Sequence, residues 1–202
     1  LGLLLDLLLA AAPPATASGW TQPQGHGFYK MGAQILRGDD FHDGQGKSVQ
    51  IPTLAQYTLS TYVEYGLRDN LTLITYLPVF ERITLNRLEG RPSGFVYTRG
   101  EAVNGIGDGE LGLRFRLWQG AATVVSAALN LGLALGNDEQ ASGLLTGDGE
   151  WNQRLELQLG HSLYPAPAWI GASLGYDHRL RGYADRFVYN AEIGISMGQR
   201  WH

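Results

Sequence analysis

Between Gly107 and Trp118 the chain reads GDGELGLRFRLW, so that Leu111, Leu113, Phe115 and Leu117 alternate with Glu110, Gly112, Arg114 and Arg116. Only an extended strand, with its side-chain period of 2, sorts these two sets onto separate faces; a helix would mix them. One face is wholly apolar and the other carries charge, so the two sides of this strand must meet contrasting environments.

The same alternation returns along the chain. Phe28 to Arg37 shows it weakly. In Leu54 to Leu67, Tyr57, Leu59, Thr61, Val63 and Tyr65 oppose Gln56, Thr58, Ser60, Glu64 and Gly66, with Tyr62 the one large residue on the polar side. Leu71, Leu73, Thr75, Leu77 and Val79 form the apolar face of a third strand, with Ile74 and Phe80 on its other face and Pro78 marking an irregular place. Gly107 to Trp118 is the fourth. Leu129 to Leu135, Arg154 to Gly160, Ile170 to Asp177 and Phe187 to Ser196 follow, and nothing after Ser18 has a helical period.

Connection lengths order these strands. Gly/Asp-rich or irregular stretches at Gly38 to Pro52, Asn86 to Gly105 and Gly136 to Gly149 read as long loops, whereas Arg68-Asp69-Asn70, Gln119-Gly120-Ala121 and Pro165-Ala166-Pro167 read as tight turns. Long and short connections alternate, which in an antiparallel meander gathers the tight turns at one end. That asymmetry, with strands of about ten residues, predicts an all-β, up-and-down transmembrane β-barrel of at least eight strands.

Period alone does not say which face is inside. An apolar face turned inward makes a soluble, lipocalin-like carrier; turned outward, it meets lipid and the charges line a lumen. Gly112, Gly132, Gly160, Gly171, Gly175 and Gly194 accompany the charges, and small residues with paired charges suit a narrow interior better than a solvated surface. The predicted lumen lining is Glu64, Glu110, Arg114, Arg116, Arg154, Glu156, Asp177 and Glu192. Tyr65, Trp118, Tyr164, Trp169 and Trp201 lie beside the short turns, where an interfacial aromatic belt is expected.

Leu1 to Ala12 is an apolar run followed by Pro13-Pro14 and Ala15-Thr16-Ala17, an A-x-A pattern that predicts a secretory leader over 1–17 and a barrel over 18–202. A net charge of -4 with scattered Lys and Arg offers no basic patch for nucleic acid. The chain has no cysteine, which excludes disulfides and thiolate chemistry.

The runs STYVEYGLRDNLTLITYLPVF and GIGDGELGLRFRL resemble the outer-membrane barrel proteins of the MetA-pathway of phenol degradation family, described as transporters. The matching positions are Glu64-Tyr65-Gly66, Leu71 to Pro78 and Gly105 to Leu117, about half of the chain. The resemblance implies outer-membrane uptake of small, aromatic or hydrophobic molecules. Members are expected to be longer, so eight strands either close alone or form part of a larger barrel.

Signals for chemistry are few. Asp39 to Gln50 lacks the alternate ligands and terminal Glu of a calcium loop. His161 and Ser162 are adjacent on a strand and point to opposite faces, so they cannot share a proton. Gly107-x-Gly109-x-x-Gly112 leads into a strand rather than a helix, outside the context of a dinucleotide motif. No enzyme, cofactor or metal is expected. The reading is porin-like passage of small molecules through an outer-membrane barrel, with outer-membrane lipid and lipopolysaccharide as surroundings and protein partners or an oligomer left open. The alternative is a structural or assembly barrel whose lumen is plugged by salt bridges.

Overall fold

The computed structural model describes residues 19–90 and 93–195, and none of these is helical. In chain order the strands are β1 (Gly27–His42), β2 (Ser48–Arg68), β3 (Leu71–Leu85), β4 (Leu88–Glu89), β5 (Val96–Thr98), β6 (Glu101–Gly105), β7 (Gly109–Gln119), β8 (Thr123–Leu133), β9 (Gln153–Ser162), β10 (Ala168–His178) and β11 (Arg186–Ile195). Eight of them build one antiparallel sheet, ordered β1-β2-β3-β7-β8-β9-β10-β11 and curled into a half-barrel. β6 continues the pairing of β7 along β3, while β4 and β5 form a small separate hairpin. Among the described residues the edge strands β1 and β11 do not pair with each other. The leader expected over 1–17 and Trp201 lie outside the described residues.

Register converts the sequence alternation into two continuous surfaces, because residues directly opposite each other share a face. One row runs Tyr65, Leu73, Leu113, Leu129, Leu155, Tyr176, Phe187 across seven strands. The neighbouring row on the opposite face runs Thr72, Arg114, Ala128, Glu156, Gly175. Burial follows these rows in an inverted sense. Among the described residues five apolar side chains are buried against thirteen polar or charged ones, so the interior of this sheet is its polar face. Leu113, Leu129, Leu155 and Leu174 are all exposed.

Four details depart from expectation. The predicted loop at Gly38 to Pro52 is mostly strand: β1 and β2 extend as a hairpin with a register shift between Gly38 and Asp40, and only 43–47 turn. Asp43 makes that turn, its Oδ1 accepting the N–H groups of Gln45 and Lys47, each at 2.9 Å. The predicted loop at Asn86 to Gly105 contains β4, β5 and β6. β8 starts at Thr123 instead of Leu129 and stops short of Leu135; Val124 and Val125 hide its alternation because both are apolar. Val124, on the polar face, is fully buried, close to Gly19.

The fourth departure is the consequence of Pro78. Leu59 faces Phe80 but Ser60 faces Pro78, which leaves Val79 as an extra residue in β3. The bulge reverses parity beyond it, so Phe80 joins the apolar face and Glu81 the polar one, opposite Thr58. Ladder geometry thereby accommodates a proline inside a strand.

Candidate functional site

The polar concave face has three levels. At the short-turn end it holds the segment ahead of β1. Ser126 Oγ donates to the Gly19 carbonyl at 2.5 Å, Arg114 Nη1 to the Trp20 carbonyl at 2.9 Å, and Thr21 Oγ1 to the Asp69 carbonyl at 2.7 Å. Gln22 donates through its backbone N–H to Thr72 Oγ1 and through Nε2 to Glu64, both at 2.8 Å. Glycines make room for this strap. A Cβ on Gly160 would collide with the Trp20 ring, and one on Gly66 would lie 2.6 Å from the Gln22 carbonyl oxygen. A polar stretch that looks like a linker in sequence is therefore seated in the interior.

Gly160→Leu is expected to expel Trp20 while the sheet remains paired. Since the chain has no native cysteine, a single Thr21→Cys reports the change. That thiol, buried at position 21, is expected to resist a bulky maleimide in the parent and to react readily beside Gly160→Leu.

Beneath and above the strap lie the charges. Arg114 is central: Nη1 lies 2.9 Å from Glu64 Oε1 and Nε donates to Gln158 at 2.8 Å, with both partners of the ion pair almost wholly buried. Tyr62 donates its hydroxyl to the same Glu64 oxygen at 2.6 Å. In the next level Arg154 reaches Glu110 at 2.5 Å and Glu156 at 2.6 Å; its Nε–H makes no aligned hydrogen bond, so the Glu156 contact is electrostatic. Asp177, fully buried, is held through Oδ2 by Arg186 at 2.7 Å, while its Oδ1 and the Asn130 Oδ1 have no hydrogen-bond partner among the described residues. Glu192 sits across from Gly171, where a Cβ would come within 2.7 Å of its carboxylate. Arg116 shares this face opposite Ser126 and makes no ion pair among the described residues.

All eight residues predicted for the lining therefore share one face, and five of them form two clusters, Glu64 with Arg114 and Glu110 with Arg154 and Glu156. Sequence reasoning missed Arg186, Gln158 and Glu81. Arg186 precedes the alternation of its strand; Gln158 falls on the polar face by parity but carries no charge to single it out; Glu81 is on the wrong parity unless the bulge at Val79 is counted.

The third level, at the long-loop end, is a cavity of about 820 Å³ between β1, β2, β3 and the connections after β8 and β10. Loop 134–152 folds over it. Asp108 pins that loop by accepting the Gly136 N–H at 2.8 Å and the Asp148 N–H at 2.7 Å, and Asn137 N–H donates to Thr146 Oγ1 at 2.9 Å. Glu150, buried, joins the two connections by accepting from Arg179 and from the Leu180 N–H, the latter at 2.9 Å. Arg181 pairs with Asp138 at 2.5 Å, and that guanidinium holds the Asp138 carboxyl below the usual carboxylate range.

The aromatic residues beside the short turns divide. Tyr65 and Tyr164 are exposed, Tyr65 on the apolar face, and Trp118 joins that face because a second bulge, between Arg116 and Trp118, pairs it with Val125. Trp169 does not share the belt's face. Its register partner is Gly194, on the face of Gly171 and Glu192, and its ring fills the space a Cβ on Gly194 would need. His161 and Ser162 point to opposite faces, and His161 instead meets Thr123 Oγ1 at 2.7 Å. Among the described residues no three His, Cys, Asp or Glu side chains gather as a metal site.

Fold and site together define the class: an all-β antiparallel half-barrel with a polar, charge-paired interior and an apolar exterior. No protein-family model matches the chain, and no curated protein matches it.

Proposed function

We propose that this chain is a β-barrel of a Gram-negative-type outer membrane that takes up small molecules along its polar concave face. The inversion of burial carries this reading: Glu64, Arg114, Asp177 and Gln158 are sequestered while Leu155, Leu174, Ile193 and Phe187 stand 60%, 60%, 70% and 76% exposed. In water such a surface is an aggregation liability far larger than the patches monomers tolerate, whereas in hydrocarbon it is the matched one. Strands β7 to β11, at ten or eleven residues each, have the length a tilted strand needs to cross a bilayer core. Outer-membrane lipid is the surrounding, and the cavity at the long-loop end is where a solute first meets the interior.

Flux into proteoliposomes tests the reading. Small solutes are expected to pass in the parent, and faster beside Gly160→Leu, which clears the short-turn end. A second reading is favoured by the strap itself: a structural barrel, plugged by Gly19–Gln24 and the Arg114 cluster, with no passage. Absence of flux in both proteins would establish that reading and remove uptake.

A further inference from the structure

We infer that the cavity at the long-loop end is a binding site for small organic monocations, in which an ammonium group sits on Glu81 and its hydrocarbon on the wall formed by Tyr76, Pro78, Ile83 and Leu145. This names the solute class for the uptake reading and rests on it. Four carboxylates line the cavity, and their partners differ. Asp138 is neutralised by Arg181, and Asp148 lies 3.2 Å from Arg179. Asp108 takes only neutral backbone N–H groups, and Glu81 only neutral side chains, Gln56 Nε2 at 2.6 Å and Thr58 Oγ1 at 3.2 Å. The site thus keeps two negative charges without a cation from the described residues.

Glu81 adds a second, independent sign. It is 7% exposed, and both of its hydrogen bonds fall on Oε1. Its Oε2 borders Gly107, where a Cβ would lie 3.0 Å away, and accepts nothing from the described residues. A buried carboxylate with one open oxygen on a cavity wall costs desolvation that a charged donor offsets. The donor is organic rather than a metal ion on two grounds: among the described residues no three acidic or His side chains converge, and the cavity of about 820 Å³ sets apolar side chains beside Glu81.

Titration calorimetry on the full chain in nanodiscs, against empty nanodiscs, with hexylammonium, hexanol, hexanoate and Ca²⁺ as probes, decides the matter. Hexylammonium is expected to bind at least about tenfold tighter than hexanol, the scale of one charge-assisted hydrogen bond, and hexanoate weaker than either. Glu81→Gln keeps the acceptor for Gln56 and Thr58 and is expected to erase the preference. Gln34→Glu, in the same cross-strand row as Glu81 and separated from it by Thr58, is expected to strengthen hexylammonium binding a few-fold at unchanged sheet content. Equal binding of hexanol and hexylammonium, an undiminished preference in Glu81→Gln, or displacement of hexylammonium by stoichiometric Ca²⁺ would each overturn the assignment. Cation preference in a protein that passes no solute would leave this site standing and remove uptake; flux with no cation preference would do the reverse.

Discussion

Replacing Arg114 with Met is expected to cost about 3–5 kcal/mol of unfolding free energy, read as a fall in the urea midpoint in lipid, because it strands Glu64 in the interior without a cation. Glu64 is 3% exposed and receives bonds from Arg114, Tyr62 and Gln22 together, so it cannot turn to water. The loss also frees the carbonyl of Trp20 and one side of Gln158. The double variant Glu64→Gln/Arg114→Met removes both charges and is expected to recover most of the loss. If the double is no more stable than Arg114→Met, the cost lies in packing around the strap and not in the stranded carboxylate.

Leu129→Arg, the second large effect, distinguishes the two environments directly. Leu129 is in the middle of β8, 47% exposed, with Leu113 and Leu155 as its cross-strand partners. Facing a bilayer midplane, an arginine there is expected to cost about 2–4 kcal/mol, and the same change near a strand end much less. Facing water, it changes stability by a few tenths and improves solubility. Measuring unfolding in lipid for Leu129→Arg and for Leu117→Arg, near the tight turn, therefore yields a depth profile. A flat profile near zero would remove the bilayer from the outer face.

The alternation in β2, β7, β9 and β10 was legible residue by residue because each keeps strict parity across its charged span, and Glu64, Glu110, Arg114, Arg154, Glu156 and Asp177 fell on one face by counting alone. Counting failed at two of the register shifts. At Val79 it hid Glu81, and between Arg116 and Trp118 it left Trp118's face undefined; only Pro78 gave warning. Composition misled at Gly38 to Pro52, where glycine and aspartate served a long hairpin with one Asx turn. The strap was invisible for a different reason. Gly19 to Gln24 has no periodicity, and its place is decided by what lies opposite, the bare backbone at Gly66 and Gly160. Pattern reports a strand's two sides; it carries no record of which distant segment fills them.

The length of the first hairpin reaches beyond the rest of the sheet. β2 has 21 residues, and its ladder with β3 ends at Leu54, so residues 48–52, five at roughly 3.3 Å each, carry it with β1 some 16 Å further toward the long-loop end. Held by its own ladder and tipped by Gly44 and Gly46, around which there is open space, this ribbon stands clear of its neighbours. In the proposed outer-membrane setting this tip is where an antibody or a phage tail fibre first touches the molecule, and a peptide epitope spliced at 43–47 is expected to be displayed with the sheet below still paired.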